Sequence, residues 1–128
     1  MARRKKEGPT AAEMEILNVL WREGRATVES VCRQLKPPKR AYTTVLTLLR
    51  IMEQKGYVEH EVEGRAFIYH PVLDEEKARR SVVRRLLDRM FEGSAESLVA
   101  SLLEEEEMSE EELHRLRRMI EKKGREKK

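Results

Sequence analysis

Cysteine and long apolar runs are scarce in this 128-residue chain, and each scarcity excludes something. The single cysteine, Cys32, leaves no intrachain disulfide and no cysteine-rich zinc site. No stretch approaches 18 consecutive apolar residues, so no membrane-spanning helix is expected. The basic start is not followed by an apolar segment, so no signal peptide is expected and the reading is cytoplasmic. His60, His70 and His114 lack metal-ligand spacing with one another or with carboxylates. No Ser/His/Asp grouping, phosphate-cradling glycine loop or paired-carboxylate motif is present. The sequence therefore calls for no enzyme activity, no cofactor and no metal. Cys32 and Trp21 sit on apolar stripes and read as packing residues, and the three histidines read as incidental.

Acidic residues are missing from one place only. Between Glu29 and Glu53 runs a 23-residue window with no carboxylate, holding Arg33, Lys36, Lys39, Arg40 and Arg50. The overall balance is only +3, but residues 1–71 hold 13 Lys/Arg against 9 Asp/Glu, and residues 72–128 hold 14 against 15. The positive charge thus belongs to the first half, including the run Arg3 to Lys6. Hydrophobic residues at 39% barely match charged residues at 40%. That balance favours a modest helical core shared with a partner.

Residues 1–9 read as a basic arm ending in the Gly8-Pro9 breaker. Thr10-Ala11-Ala12-Glu13 is a capping box; Met14, Leu17 and Trp21 follow at helical spacing, and Gly24 ends the helix. Thr27 caps a second helix with Val28, Val31, Cys32 and Leu35 on one face, broken by Pro37-Pro38. A third helix is expected from about Arg40 to Lys55. Tyr57–Val62 and Ala66–Pro71 read as strands joined through Glu63-Gly64-Arg65, a hairpin. Three helices and a hairpin make a winged helix-turn-helix.

Beyond Pro71 the period is helical. Asp74, Ser94 and Ser109 open three amphipathic helices, with Glu104–Glu107 a solvated connection before the last. Their apolar faces hold Val83, Leu86, Leu87, Met90, Phe91, Leu98, Leu102, Leu113, Leu116 and Ile120. With little bulk to share among themselves, they are expected to be buried against a second copy. The fold class is mainly α with a small β-hairpin. The expected boundaries are an arm at 1–9, the winged helix-turn-helix at 10–72, a helical dimerisation module at 73–124 and a charged tail at 125–128.

On a helical wheel Arg40, Thr43, Thr47, Arg50 and Gln54 share one stripe, opposite Ala41, Val45, Leu48, Leu49 and Met52. A Thr/Arg stripe alone is more often a solvated face. Beside an acid-free window and a wing it fits major-groove reading, where arginine bonds guanine edges and threonine bonds bases or packs on the thymine methyl. Tyr42 and Thr44 flank the stripe within reach of phosphates. Arg65 at the wing tip suits a backbone or minor-groove contact; alone it would merely cover the hairpin.

The chain resembles the penicillinase-repressor family, which includes methicillin-resistance and copper-responsive repressors. The blocks that carry the likeness are Ala12 to Trp21, Ala41 to Leu49, Lys55 to Val58, Gly64 to Pro71 and Phe91 to Ser94. The resemblance implies a homodimer on an inverted-repeat operator of double-stranded DNA, with Thr43, Thr44, Thr47 and Arg50 reading each half-site. It also implies that the C-terminal helices dimerise, and that binding blocks transcription, typically of resistance genes and of the repressor's own operon. Copper-responsive members end in paired cysteines, which are lacking here. The β-lactam-responsive members are inactivated by a cut in the dimerisation region, commonly between Asn and Phe. The matching positions are Ser101 and Leu102, which makes a membrane sensor metallopeptidase a partner implied by the family. Two other classes compete: a winged-helix protein-interaction module without specific DNA binding, and a small nuclease. The first gives no reason to empty the third helix of acids, and the second lacks any acid or metal cluster in the basic half.

Overall fold

The computed structural model describes residues 8–126. The basic run Arg3 to Lys6 and most of the expected arm lie outside the described residues, as do the last two lysines. Element order is α1 (Ala11–Glu23), β1 (Ala26–Thr27), α2 (Val28–Gln34), α3 (Tyr42–Gln54), β2 (Val58–Glu63), β3 (Ala66–Pro71), α4 (Glu75–Met90), α5 (Ala95–Glu105) and α6 (Glu110–Glu126). The chain divides into two compact units with the break between Arg85 and Leu86, inside α4.

In the first unit, local chemistry sets the helix starts. The Thr10 hydroxyl accepts from the Glu13 amide at 3.1 Å, and the Glu13 carboxylate accepts from the Thr10 amide at 3.0 Å. Thr27 caps α2 through the Ser30 amide, and Asp74 caps α4 through the Lys77 amide. Apolar residues at helical spacing then face inward. Ile16, Leu17 and Leu20 of α1 meet Val28 and Val31 of α2, Val45, Leu49 and Met52 of α3, and Val58 and Tyr69 of the sheet. The sheet is antiparallel in the order β1-β3-β2, with Ala26 opposite Tyr69 and Thr27 opposite Ile68. The two-residue β1 was not expected from the sequence: two residues carry no periodicity, and the strand exists only through its partner β3.

Gly8 and Pro9 also depart from the expected arm. Pro9 is fully buried, and the Arg85 guanidinium donates to the carbonyls of Gly8 and Pro9. The indole of Trp21 donates to the Leu73 carbonyl at 3.1 Å, so Trp21 is a packing residue with its polar end satisfied.

Glu13 is the one buried charged side chain among the described residues, at 2% exposure. Besides capping α1 it accepts from Lys55 Nζ at 2.8 Å, tying the start of α1 to the end of α3. Glu13→Ala removes half a capping box and a charge-assisted bond. The expected cost is about 2–3 kcal/mol in denaturant unfolding, with Glu13→Gln recovering part of it. Lys55 is itself partly exposed, so the loss falls short of that for a fully buried pair.

The second unit comprises the end of α4 with α5 and α6. Ser94 caps α5 through the Ser97 amide, and Ser109 caps α6 through the Glu112 amide, both near 3 Å. Neither α5 nor α6 buries a residue. Met90, Val99, Leu102, Leu103, Leu113, Met119 and Ile120 are all exposed, Met90 and Ile120 by 68% and 65%. Leu87 is buried, while Phe91, Leu98 and Leu116 are half-buried. The last helix runs through Glu126, so Arg125 and Glu126 belong to it rather than to the expected tail.

Candidate nucleic-acid interface

The position of α3 follows from its inward residues. Val45, Leu49 and Met52 recur at i, i+4 and i+7 and are completely buried, which fixes the opposite side to face outward. Thr43, Thr47, Arg50 and Gln54 are all exposed on that side, and Tyr42 and Thr44 stand exposed in the first turn. The structure thus brings together six of the residues expected to lie on the exposed side of the third helix.

Arg40 is not among them. The helix begins at Tyr42 behind an extended Ala41 cap (φ −66°, ψ 151°), so Arg40 precedes the helix and shares no stripe with Thr43. Its guanidinium instead binds Glu15 of α1 at 2.6 Å. Ala41, expected to face the core, is exposed at the cap. A helical wheel assumes that every residue on it is helical, and Ala41 offers no side-chain cap to mark the true start.

The wing is the β2–β3 hairpin. Glu63 pairs with Ala66, leaving Gly64-Arg65 as a two-residue turn rather than the three-residue one expected. Positive φ is confined to Gly64 (60°), as a type II′ turn requires. Arg65 is exposed at this tip. Among the described residues neither Arg50 nor Arg65 has a carboxylate at ion-pair distance.

Three carboxylates near this surface are partnered in place. Glu15 is held by Arg40 at 2.6 Å, Glu53 by the His60 ring at 2.7 Å and Glu63 by Arg25 at 2.7 Å. Arg25, Glu53 and His60 were not anticipated as parts of the site. A signal existed for His60: strand alternation places it on the same hairpin face as buried Val58, opposite Tyr69. An imidazole on a core-facing position needs a polar partner, and the nearest acid on α3 is Glu53. Cys32 offers no chemistry here. Burial pushes its thiol pKa up and nearby Glu29 adds to the rise, so it stays protonated.

No group of three or more histidines, cysteines or carboxylates among the described residues is arranged to hold a metal ion, and no helix is long and apolar enough to cross a membrane. What the fold does present is a helix with an exposed, acid-free polar face, preceded by a second helix and flanked by a hairpin with an arginine at its tip. Those parts define a winged helix-turn-helix protein.

The chain belongs to the penicillinase repressor family, which it matches over residues 9–122. It is 31% identical over 111 residues to the penicillinase repressor of Bacillus licheniformis, covering 86% of this chain and 87% of that protein. It is 24% identical over 115 residues to the methicillin resistance regulatory protein MecI of Staphylococcus aureus (strain N315), covering 89% of this chain and 94% of that one. Among solved structures, the DNA-binding domain of the repressor BlaI aligns with 31% identity and a TM-score of 0.49, over 57% of this chain and 90% of that one.

Proposed function

We propose that the protein is a transcriptional repressor that binds an inverted-repeat operator as a homodimer. Each chain lays α3 in a major groove and sets the wing tip against the adjacent backbone or minor groove. The observation that carries this reading is the exposed row Thr43, Thr47, Arg50 and Gln54, bordered by carboxylates that are already paired. Hydroxyl, guanidinium and amide groups on a rigid helix match the donors and acceptors of base edges. Tyr42, Thr44 and Arg65, all exposed, would contact phosphates. Arg40, tied to Glu15, contributes charge from the side.

Dimerisation is supported by the second unit, whose α5 and α6 bury no residue and leave Val99, Leu102, Leu103, Leu113, Met119 and Ile120 exposed to water, a surface that a second copy would cover. Val83, Leu86, Met90, Leu102, Leu113 and Ile120 are exposed enough to join an interface, whereas Leu87 is already covered within the single chain. In the cell the protein would work in the cytoplasm and need no cofactor. Relief of repression by a membrane sensor metallopeptidase remains part of the proposal. Ser101 and Leu102 lie inside α5, so a cut there requires that helix to open locally first. Exposure of the purified protein to its cognate sensor tests this: a cut near Ser101 supports it, and an intact chain removes it.

The test of base reading is Thr47→Ala. Binding to a promoter duplex holding the inverted repeat should weaken by about 1–3 kcal/mol, while binding to a scrambled duplex stays unchanged. Equal binding of variant and wild type to both duplexes across a salt series would take Thr47 out of the interface. A protein-interaction module would keep its partner after charge reversal at Arg50 and ignore both duplexes.

A further inference from the structure

We propose that His60 is a positioning residue that clamps the wing to the reading helix through Glu53, and that this pair makes DNA binding take up a proton. The inference rests on the DNA-binding reading above and adds a regulatory input to it.

Glu53 is the one carboxylate on α3, in its last turn between Arg50 and Gln54, at the edge of the exposed polar row. Unneutralised, it would oppose the phosphates that the rest of the helix attracts. His60 Nδ1 lies 2.7 Å from Glu53 Oε1, with both side chains about one-third exposed (31% and 34%). The ring is held by its own strand pair: its centroid lies 5.2 Å from that of Phe67 and 5.0 Å from that of Tyr69. The hydrogen bond therefore joins two rigid elements, β2 and α3, and sets where the wing stands relative to the helix.

The groups around the imidazole decide the sign. Glu53 presents its carboxylate to the ring Nδ1. Tyr69, against which it stacks, is a buried phenol whose pKa is raised by that burial, and it also feels Glu53, Arg50 and Tyr42 of α3. Glu59 and Glu61 alternate onto the other hairpin face, where Glu59 faces His70 at 3.5 Å. With neutral His60 the pair carries one negative charge toward DNA; with protonated His60 it carries none. Phosphates near the site favour the second state, so the bound form holds the proton more tightly than the free form. The gain in affinity is fully present below the free protein's titration and is lost as pH rises through the titration of the complex. Imidazole is the side chain that ordinarily titrates in that window.

The experiment measures affinity for the promoter duplex at pH 6 and pH 8, at constant ionic strength, with folding checked by circular dichroism. Wild type should bind roughly three- to tenfold tighter at pH 6. His60→Gln keeps an N–H for Glu53 but cannot take up a proton, and its pH dependence should fall below about twofold. Glu53→Gln removes the opposing charge while keeping an acceptor. Its binding at pH 8 should rise toward the wild-type value at pH 6, the opposite of what loss of a structural contact would do. This variant carries the test if His60→Gln does not fold. His70→Gln should keep the full wild-type profile. A His60→Gln profile as steep as wild type, or Glu53→Gln binding more weakly at both pH values, would overturn the clamp and leave DNA binding standing. Failure of wild type to bind any duplex at either pH would end both readings.

Discussion

Leu113→Asp combined with Ile120→Asp should turn the protein into single chains at micromolar concentrations and reduce operator affinity at least a hundredfold. The two side chains lie seven residues apart on α6, on the side that also holds Leu116, and both are exposed in the single chain. Carboxylates there cost little in the monomer, because water already reaches the positions. In a dimer each would have to be desolvated against apolar surface, at several kcal/mol per site once both chains are counted. The loss of affinity follows from geometry. A dimer presents its second reading helix at a high effective concentration once the first half-site is engaged, and that linkage is worth on the order of 10²–10⁴ in affinity. The winged unit should be untouched, so the fluorescence of Trp21, which belongs to the first unit, should report unaltered packing. Sedimentation velocity and duplex titration check the first two outcomes, and the fluorescence checks the third. A double variant that stays dimeric would move the interface away from α6.

Reversing the charge at Arg50 is the second large effect. Its guanidinium stands in the exposed row of α3, one turn beyond Thr47, with no ion-pair partner among the described residues. Arginine to a guanine edge or a phosphate is worth roughly 1–3 kcal/mol per contact, and a two-fold complex makes each contact twice. Arg50→Glu should therefore cost about 2–6 kcal/mol in operator affinity, with repulsion between glutamate and phosphate adding to the loss at low salt. Folding stability should change by under 1 kcal/mol, since the position is exposed. Arg50→Lys separates the possible roles. It should restore nonspecific binding to a scrambled duplex but not the preference for the inverted repeat, because an ammonium lacks the planar fork that pairs with guanine.

What could be read from the residues alone was whatever chemistry is local. Thr10 with Glu13, Thr27, Asp74 and Ser94 cap helices within three residues of themselves, and each one does so in the fold. The apolar spacing of Val45, Leu49 and Met52 likewise forces Thr43, Thr47 and Arg50 outward. The misses are long-range. Strand β1 exists only through pairing with Ile68 and Tyr69, some forty residues further along the chain. Glu13 reads as a cap, and its second partner, Lys55, lies 42 residues away. His60 looked incidental because its value depends on Glu53 across an interface between helix and hairpin. Arg40 was misplaced for a different reason: the segment after Pro37-Pro38 carries no capping side chain, so nothing local marks where the helix starts. Leu87 shares its helical period with exposed neighbours, and periodicity alone does not separate a covered position from an available one.

The most direct measurement is dimethyl sulfate protection of the promoter duplex at saturating protein, because guanine N7 faces the major groove and adenine N3 the minor. A dimer that lays α3 in the groove should protect guanine N7 in two half-sites about one helical turn or a multiple apart, and Arg50→Ala should restore reactivity in both. Unprotected guanines throughout the bound duplex, or protection that survives the loss of Arg50 and Thr47 together, would contradict the placement of this helix against the bases.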